Sequence, residues 1–199
     1  MSEHYYTNKP STVHQRQTIE QVLAGRKFTF VTDSGVFSKT GVDYGSRVLI
    51  ESMSFSADSQ VLDVGCGYGP IGLSAALIAK DGRVTMVDIN ERAVELAKEN
   101  AIRNKIDNVE ILQSDLFEKL AGRKFHIILT NPPIRAGKET VHQIFTEAEA
   151  HLEQGGELWV VIQKKQGAPS ALTKLESLFA EVEEVTKDKG YRIYRARKA

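Results

Sequence analysis

The spacing of apolar positions changes along the chain and divides it into two parts. Residues 1–25 are polar without a sustained period, which predicts an arm or a short capping segment. Residues 26–38 alternate, with Phe28 and Phe30 on one face, and reach an Asp-Ser-Gly turn signal, so a hairpin followed by a loop is predicted there. Apolar residues within positions 43–54 recur at helical spacing, which predicts a helix there.

From residue 60 onward, short apolar runs alternate with segments of helical period. The alternation predicts one α/β domain at residues 43–199, with a mostly parallel sheet covered by helices on both faces, after an N-terminal arm and hairpin extension at residues 1–42. Strands are predicted at residues 60–64, 83–88, 109–112, 125–130 and 157–163, and a closing antiparallel pair at 183–187 and 192–197. Helices are predicted at residues 71–79, 91–104 (with Asn90 as N-cap), 140–151 and 170–180.

Composition excludes several classes of protein. The 26 Lys and Arg residues balance 26 Asp and Glu residues, so the chain is not a globally basic nucleic-acid binder, although a local basic patch is still allowed. The single cysteine, Cys66, cannot form an internal disulfide, which favours a reducing compartment. No apolar run approaches the roughly 20 residues that span a bilayer, and the N-terminus lacks a signal-peptide pattern. We therefore expect a cytoplasmic protein without membrane contact.

The turn after the strand at residues 60–64 is rich in glycine. Asp63 is followed by Gly65, Gly67 and Gly69, and glycine there permits unusual dihedral angles and close approach of a ligand to the backbone. Ligands of open α/β sheets bind at this edge, beside the free N–H groups of the next helix. Gly67, Gly69 and Gly72 also match the dinucleotide pattern G-x-G-x-x-G, but the acidic residue precedes these glycines, which argues against a dinucleotide site.

Two more acidic residues follow the next two predicted strands. Asp88 can accept hydrogen bonds from both hydroxyls of a ribose, because an ionised carboxylate is an acceptor only. Asp115 can accept from an adenine amino group while the N–H of Leu116 reaches a ring nitrogen. Taken alone, Asp88 or Asp115 could equally well be a solvated surface residue. Three aspartates at the ends of successive strands, beside a glycine turn, indicate a ligand site.

A rigid turn, Asn131-Pro132-Pro133, follows the strand at residues 125–130. The side-chain oxygen of Asn131 and the carbonyl of Pro132 remain there as fixed acceptors. Together they can hold a planar amino group by its two hydrogens and direct its nitrogen at an electrophile. Fixed placement of reactants contributes about 7–11 kcal/mol to catalysis in well-oriented pairs. A plain tight turn is the structural alternative.

These motifs resemble those of the class I S-adenosylmethionine-dependent methyltransferases, over roughly residues 30–199. The upstream segments at residues 35–38 and 43–46, GVFS and DYGS, resemble the region before the cofactor motif in the small-subunit rRNA guanine-N2 methyltransferases of the methyltransferase C type. The resemblance implies a Rossmann-like, seven-stranded sheet whose last strand is inserted antiparallel. It also implies a short member of the family with the catalytic domain alone.

The resemblance assigns roles to individual residues. Those implied to bind S-adenosyl-L-methionine are Asp63, Gly65, Gly67, Asp88, Ile89, Asp115, Leu116 and Asn131. Those implied to hold the target amino group are Asn131, Pro132 and Pro133. Ile134 stands where relatives that methylate base amino groups carry an aromatic residue to stack on the base, so Phe37 is the candidate to cover the base.

An RNA partner needs local positive charge for its phosphates, and its target base must be exposed. Arg135 and Lys138 flank the proline turn and are the first candidates for RNA contacts. Lys164 and Lys165 are expected at the same edge of the sheet, and further basic residues follow position 186. The histidines show no metal-ligand spacing, so no metal is expected.

The function expected from these features is methyl transfer to an exocyclic amino nitrogen of a nucleobase, foremost guanine N2, in rRNA or the small ribosomal subunit. Three alternatives remain: a protein glutamine-N5 methyltransferase, a non-catalytic cofactor-binding ribosome-assembly factor, and a nicotinamide oxidoreductase. Ile134 argues against glutamine and against adenine N6, because enzymes acting on these usually carry an aromatic residue after the prolines. The sequence supplies no acid for a hydride-transfer site.

Overall fold

A computed structural model describes residues 8–199 of the chain. The strands are β1 (Gln17–Leu23), β2 (Arg26–Thr32), β3 (Gln60–Val64), β4 (Arg83–Asp88), β5 (Val109–Gln113), β6 (Phe125–Thr130), β7 (Leu152–Gln163), β8 (Glu181–Asp188) and β9 (Tyr191–Arg197). The α-helices are α1 (Tyr44–Ser52), α2 (Pro70–Ile78), α3 (Glu91–Arg103), α4 (Lys138–Ala150) and α5 (Ala168–Leu178). Single turns of 3₁₀-helix lie at Glu118–Leu120, Ile134–Ala136 and Lys164–Gln166.

Seven strands form one mixed sheet in the order β5-β4-β3-β6-β7-β9-β8. β3 to β7 pair in parallel, and β9 is antiparallel to both of its neighbours, β7 and β8. This confirms the expected Rossmann-like sheet with one inserted antiparallel strand. The chain runs outward from β3 to β5 and then returns to β6 on the other side of β3. The carboxyl ends of β3 and β6 therefore meet at the switch point where α/β folds bind ligands.

The two faces of the sheet have separate hydrophobic clusters. Side chains alternate along each strand, so that Val61 and Leu129 face one cluster while Leu62 and Ile128 face the other. The first cluster includes α1, α2, α3 and the hairpin, and the second includes α4 and α5. Because the central strands are buried on both sides, they are nearly continuous apolar runs. Within residues 8–199, none of the helices is long and apolar enough to cross a membrane.

The N-terminal hairpin begins earlier than the sequence predicts. β1 lies inside the segment expected to be a polar arm, and it pairs with β2 through Ala24 and Gly25. Both turn residues have positive φ, 49° and 79°, as tight hairpin turns require. The sequence does not predict β1 because most of its residues are exposed or half-buried, so the segment lacks a regular alternation of apolar and polar residues. The Asp-Ser-Gly signal instead ends β2, where the carboxylate of Asp33 accepts hydrogen bonds from the N–H groups of Gln15 and Ser34.

The segment at residues 8–16 is also packed rather than free. The carbonyl of Asn8 accepts a hydrogen bond from the N–H of Glu91, and the Asn8 side chain accepts one from Gln113. The guanidinium of Arg92 donates to the carbonyls of Thr12 and Ser34. The segment therefore lies across the carboxyl ends of β4 and β5. Residues 1–7 of the predicted arm lie outside the described residues.

Asn100 connects the hairpin to the rest of the molecule. Its buried amide accepts from the N–H of Val31 and donates to the carbonyls of Val31 and Tyr68, all within 3.0 Å. Asn104, one turn later, makes the same pair of contacts with Thr29 from a half-buried position. The two asparagines thus attach β2 to α3 through backbone groups that have no other strand partner on that side.

We expect Asn100→Ala to lower the free energy of unfolding by about 3 kcal/mol, because it leaves three buried backbone groups unsatisfied. Urea unfolding followed by circular dichroism measures this. Asn104→Ala is the matched control, and it should cost less because water can reach the groups that it exposes. Equal losses for the two variants would contradict the importance of burial at Asn100.

Candidate functional site

A cavity of about 280 Å³ opens at the carboxyl ends of β3, β4 and β6. Its walls come from the glycine turn, the turn after β4, the proline turn after β6 and the segment before α1. The predicted site residues that line it are Phe37, Gly65, Gly67, Asp88, Ile89, Leu116, Asn131, Pro132, Pro133, Ile134 and Arg135. The fold therefore brings together most of the residues that the motifs singled out.

The glycine turn forms an open cradle on one wall of the cavity. Gly65 and Gly67 have φ of +75° and +57°, in the left-handed region that glycine favours. A Cβ built on either residue would meet no atom within 4 Å. The N–H groups of Gly65 and Cys66 donate to the carbonyl of Val87, which fixes the turn on β4. Burial raises the pKa of the Cys66 thiol, so this neighbour stays a neutral packing residue.

Asp88 supports the cradle from the end of β4. One carboxylate oxygen accepts from the N–H of Gly67 at 2.8 Å, and the other accepts from the N–H of Asn90 at 2.8 Å. Burial raises the pKa of Asp88 to about 6, and these N–H donors oppose that rise. Asn90 is the N-cap of α3, as predicted, because its side chain accepts from the N–H of Ala93.

Asp63 lies behind the cradle rather than in the cavity. It is fully buried at the end of β3, and neither carboxylate oxygen accepts a hydrogen bond of good geometry from the described residues. Desolvation raises the pKa of Asp63 to about 8, and the nearby N–H of Gly72 opposes this rise only in part. A buried carboxylate so poorly satisfied is costly, and a cationic group in the adjoining cradle would lower that cost.

Two other predicted site residues lie outside the cavity lining. Asp115 is exposed, while its neighbours Ser114 and Leu116 line the cavity. Leu116 has a positive φ of 53°, and its carbonyl accepts from the Ser114 hydroxyl at 2.9 Å, which holds this turn. Lys138, at the start of α4, lines an adjoining depression that shares Ile134 with the main cavity.

Sequence reasoning missed the partners of Asn131. Its amide nitrogen donates to the carboxylate of Asp43 at 3.1 Å and to the hydroxyl of Ser46 at 3.0 Å, and both of these residues line the cavity. Asp43 is the N-cap of α1, and it accepts from the N–H of Ser46. The D-x-x-S spacing at the start of the predicted helix was the available signal, because it is typical of a capped helix. Tyr191, at the start of β9, was also missed.

The basic residues are distributed unevenly around the sheet. Arg135 lines the cavity, and Lys164 and Lys165 are exposed beyond the end of β7 at the same edge. Arg195, in the middle of β9, pairs with Glu157 and Glu183. Because β9 runs antiparallel to β7, Arg192 lies beside Ile162 near the cavity edge, whereas Arg197 lies beside Glu157 at the other end of the strand. No cluster of three metal-ligating side chains occurs in the part of the chain that the structure describes.

Comparison with known proteins identifies relatives along the whole chain. A family model described as "Methyltransferase small domain" matches residues 27–195. The chain is 58% identical to the uncharacterized protein YbxB of Bacillus subtilis, over 100% of both chains. It is 35% identical to the ribosomal RNA small subunit methyltransferase C of Haemophilus influenzae, over 74% of this chain and 44% of that protein. The chain thus spans about half the length of the curated methyltransferase C relatives that it matches.

A solved structure of an rRNA methyltransferase is also similar to the chain in its fold. The Thermus thermophilus 16S rRNA N2 methyltransferase RsmC, in complex with AdoMet and guanosine, superposes with a TM-score of 0.83 and 27% identity. The superposition covers 96% of this chain and 52% of that one, so the fold is that of a class I methyltransferase. The methyl donor of this class is S-adenosylmethionine. Within it, the chain belongs to the methyltransferase small domain family, which removes the nicotinamide oxidoreductase from consideration.

Proposed function

We propose that the chain methylates the exocyclic N2 amino group of a guanine in small-subunit rRNA. The observation that carries this proposal is the orientation of Asn131, whose amide hydrogens are both engaged by Asp43 and Ser46. Its carbonyl oxygen is left as an acceptor beside the glycine cradle. A base amino group carries two N–H donors, which this oxygen and the carbonyl of Pro132 can accept. The names of the methyltransferase C relatives support rRNA as the substrate.

For the cofactor, the residues present fit the group well. The open space above Gly65 and Gly67 would hold the methionine part, and the buried carboxylate of Asp63 behind this space would offset the charge of its amino group. We assign the ribose hydroxyls to Asp88, and the adenine to Leu116 and its neighbours Ile89 and Asp115. When bound, S-adenosylmethionine supplies an electrophilic methyl group on its sulfonium and leaves as the thioether.

The chain's own residues orient the nucleophile. Asn131 and Pro132 hold the two N–H groups, which points the nitrogen lone pair along one direction and contributes the entropic advantage of fixed placement. As the new N–C bond forms, positive charge develops on the nitrogen and strengthens both hydrogen bonds. One of the amino protons then passes to solvent, which restores a neutral, singly methylated amine.

Two apolar side chains and two cations complete the proposed substrate site. Phe37 is 42% exposed and lines the cavity together with Ile134, so we assign to this pair the two faces of the target base. Stacking on an aromatic ring contributes about 1–3 kcal/mol per base in single-stranded recognition. We assign flanking phosphates to Arg135, which lines the cavity, and to Lys138, which lines the adjoining depression.

Cofactor affinity should depend on pH through Asp88, whose pKa burial raises to about 6. Ribose hydroxyls bind the ionised carboxylate more strongly, so binding below this pKa must release a proton. Through Asp88, the association constant should therefore fall by up to about tenfold per pH unit below about pH 6, whereas a change between about pH 7 and 8 would belong to Asp63, whose pKa burial raises to about 8. Isothermal titration calorimetry across this range measures the effect. Asp88→Asn should bind weakly at every pH, and a wild-type profile without a slope would contradict the role of Asp88.

The substrate is tested by methyl transfer from radiolabelled S-adenosylmethionine to total RNA and to ribosomal subunits from a strain that lacks the chain. We expect label in small-subunit rRNA, recovered as N2-methylguanosine after digestion to nucleosides. Asn131→Ala should abolish it. Label in protein would replace this proposal with glutamine-N5 methylation. Tight cofactor binding with no transfer to any substrate would favour the ribosome-assembly factor.

A further inference from the structure

We propose that Asp43 and Ser46 are positioning residues, which fix the Asn131 amide with its oxygen toward the substrate and strengthen that oxygen as an acceptor. The inference rests on the proposed function of Asn131. It concerns two side chains on a different element, 88 and 85 residues away in the sequence. Neither of them would bond the target amino group itself.

The geometry allows only one orientation of the amide. A carboxamide nitrogen carries two hydrogens, and here one goes to Asp43 Oδ2 and the other to Ser46 Oγ. If the amide were rotated by 180°, its oxygen would face the carboxylate of Asp43, and two acceptors would be in contact. A donor at the cavity wall would repel an amino group, so this orientation decides whether Asn131 can hold the substrate.

The position of Asp43 is set independently of Asn131. Its carboxylate caps α1 by accepting from the N–H of Ser46 at 3.1 Å. The next residue, Tyr44, donates its hydroxyl to Asp188 in β8 at 2.6 Å. At Gly45, a built Cβ would lie 2.8 Å from the ring of Tyr191, so glycine is needed for the helix to approach β9 this closely. The start of α1 is therefore held against the inserted strand pair, and it presents a preformed acceptor to Asn131.

Besides orienting the amide of Asn131, the charge of Asp43 strengthens the amide oxygen as an acceptor. A hydrogen bond from the amide to an ionised carboxylate is stronger than one to a neutral group, and it polarises the amide so that Oδ1 gains negative charge. Asp43 is half-buried at the cavity wall, where screening by water is reduced. A more negative Oδ1 favours the positive charge that develops on the target nitrogen, so Asp43 should affect the chemical step more than substrate binding.

The test uses three variants that separate this role from helix capping. Asp43→Ser keeps a preferred N-cap residue, but its side chain is too short to reach Asn131. Asp43→Asn keeps an oxygen that can accept from both Ser46 and Asn131, and it serves as the conservative rescue. Ser46→Ala removes the second partner. Melting temperatures establish that each variant is folded. If Asp43→Ser does not fold, Ser46→Ala provides the test instead, because it keeps Asp43 as the N-cap of α1.

Two readouts are compared. In ¹⁵N-labelled protein without RNA, Asp43→Ser should shift the side-chain amide resonances of Asn131, assigned from their loss in Asn131→Ala, while Asp43→Asn should shift them less. In methyl transfer, Asp43→Ser should lower kcat by about 10- to 100-fold, with the KM for RNA changed little, and Asp43→Asn, which keeps the acceptor without its charge, should recover part of the loss.

Unchanged amide resonances in both Asp43→Ser and Ser46→Ala would overturn the inference. So would a rise in KM without a fall in kcat, because that would make Asp43 a substrate-binding residue only. The resonances are measured without RNA and without turnover. They therefore report on the positioning role even if rRNA proves not to be the substrate and the proposed function fails.

Discussion

Asn131→Ala should lower the rate of methyl transfer by about 100- to 1,000-fold, the usual cost of removing one preorganised polar group that acts on developing charge. The dissociation constant for S-adenosylmethionine should change by no more than about threefold, because the cradle at Gly65 and Gly67 and the carboxylate of Asp88 remain in place. Single-turnover transfer with the cofactor in excess measures the first quantity, and calorimetry measures the second.

Two further variants sharpen this experiment. Asn131→Asp keeps the size and supplies a stronger acceptor, yet it should also be inactive, since its carboxylate would face that of Asp43 across the distance now spanned by a 3.1 Å hydrogen bond. Gln143→Ala removes an exposed amide from α4, away from the cavity, and is the matched control. If Asn131→Ala kept more than about a tenth of the wild-type rate, the role assigned to Asn131 would be wrong.

Gly65→Val should weaken cofactor binding by about 5- to 150-fold, because the side chain would occupy space that the ligand needs. Overfilling a closely packed site commonly costs about 1–3 kcal/mol, which is roughly 5- to 150-fold in a dissociation constant. At this position a built Cβ meets no protein atom within 4 Å, and Gly65 lines the cavity, so a side chain there would take up space at the cavity wall. Calorimetric titration with S-adenosylmethionine measures the loss.

Backbone strain is separated from this effect by a matched glycine. Gly155, near the start of β7, has the same φ of +75°, is likewise exposed and has equally open surroundings. Gly155→Val should thus lose a similar stability, about 1–2 kcal/mol for a side chain in the left-handed region, without a change in cofactor affinity. Equal affinities in the two variants would refute the cradle as the cofactor site.

The sheet could be predicted from the sequence because its strands are buried on both faces. Runs such as residues 60–64 and 125–130 are short and mostly apolar, and they alternate with segments of helical period, which is the pattern of a parallel sheet covered on both faces. The position of β9 followed from the resemblance to class I methyltransferases, and the pairing of β8 with β9 from the turn at Lys189 and Gly190. β1 was missed because its exposed side chains lack a periodic apolar signal.

The candidate site was predictable wherever one local motif contains the chemistry. The glycine turn and the proline turn each position their own backbone, so their residues could be named from spacing alone. The contacts of Asn131 with Asp43 and Ser46 join segments more than 80 residues apart, and no local pattern encodes such a pairing. The positive φ of Leu116, next to the exposed Asp115, is likewise not signalled by its side chain.

Three basic residues lie at the edge of the sheet where the cavity opens, although the chain as a whole carries no net charge. Arg195 and Lys198 pair with glutamates, whereas Arg135, Lys164 and Lys165 form no ion pair within residues 8–199. A neutral chain gains no overall attraction to a distant polyanion, so the electrostatic preference of this edge acts only at short range. For the RNA substrate proposed above, added salt would therefore act mainly on the fraction of encounters that are productive, rather than on how often the two molecules meet.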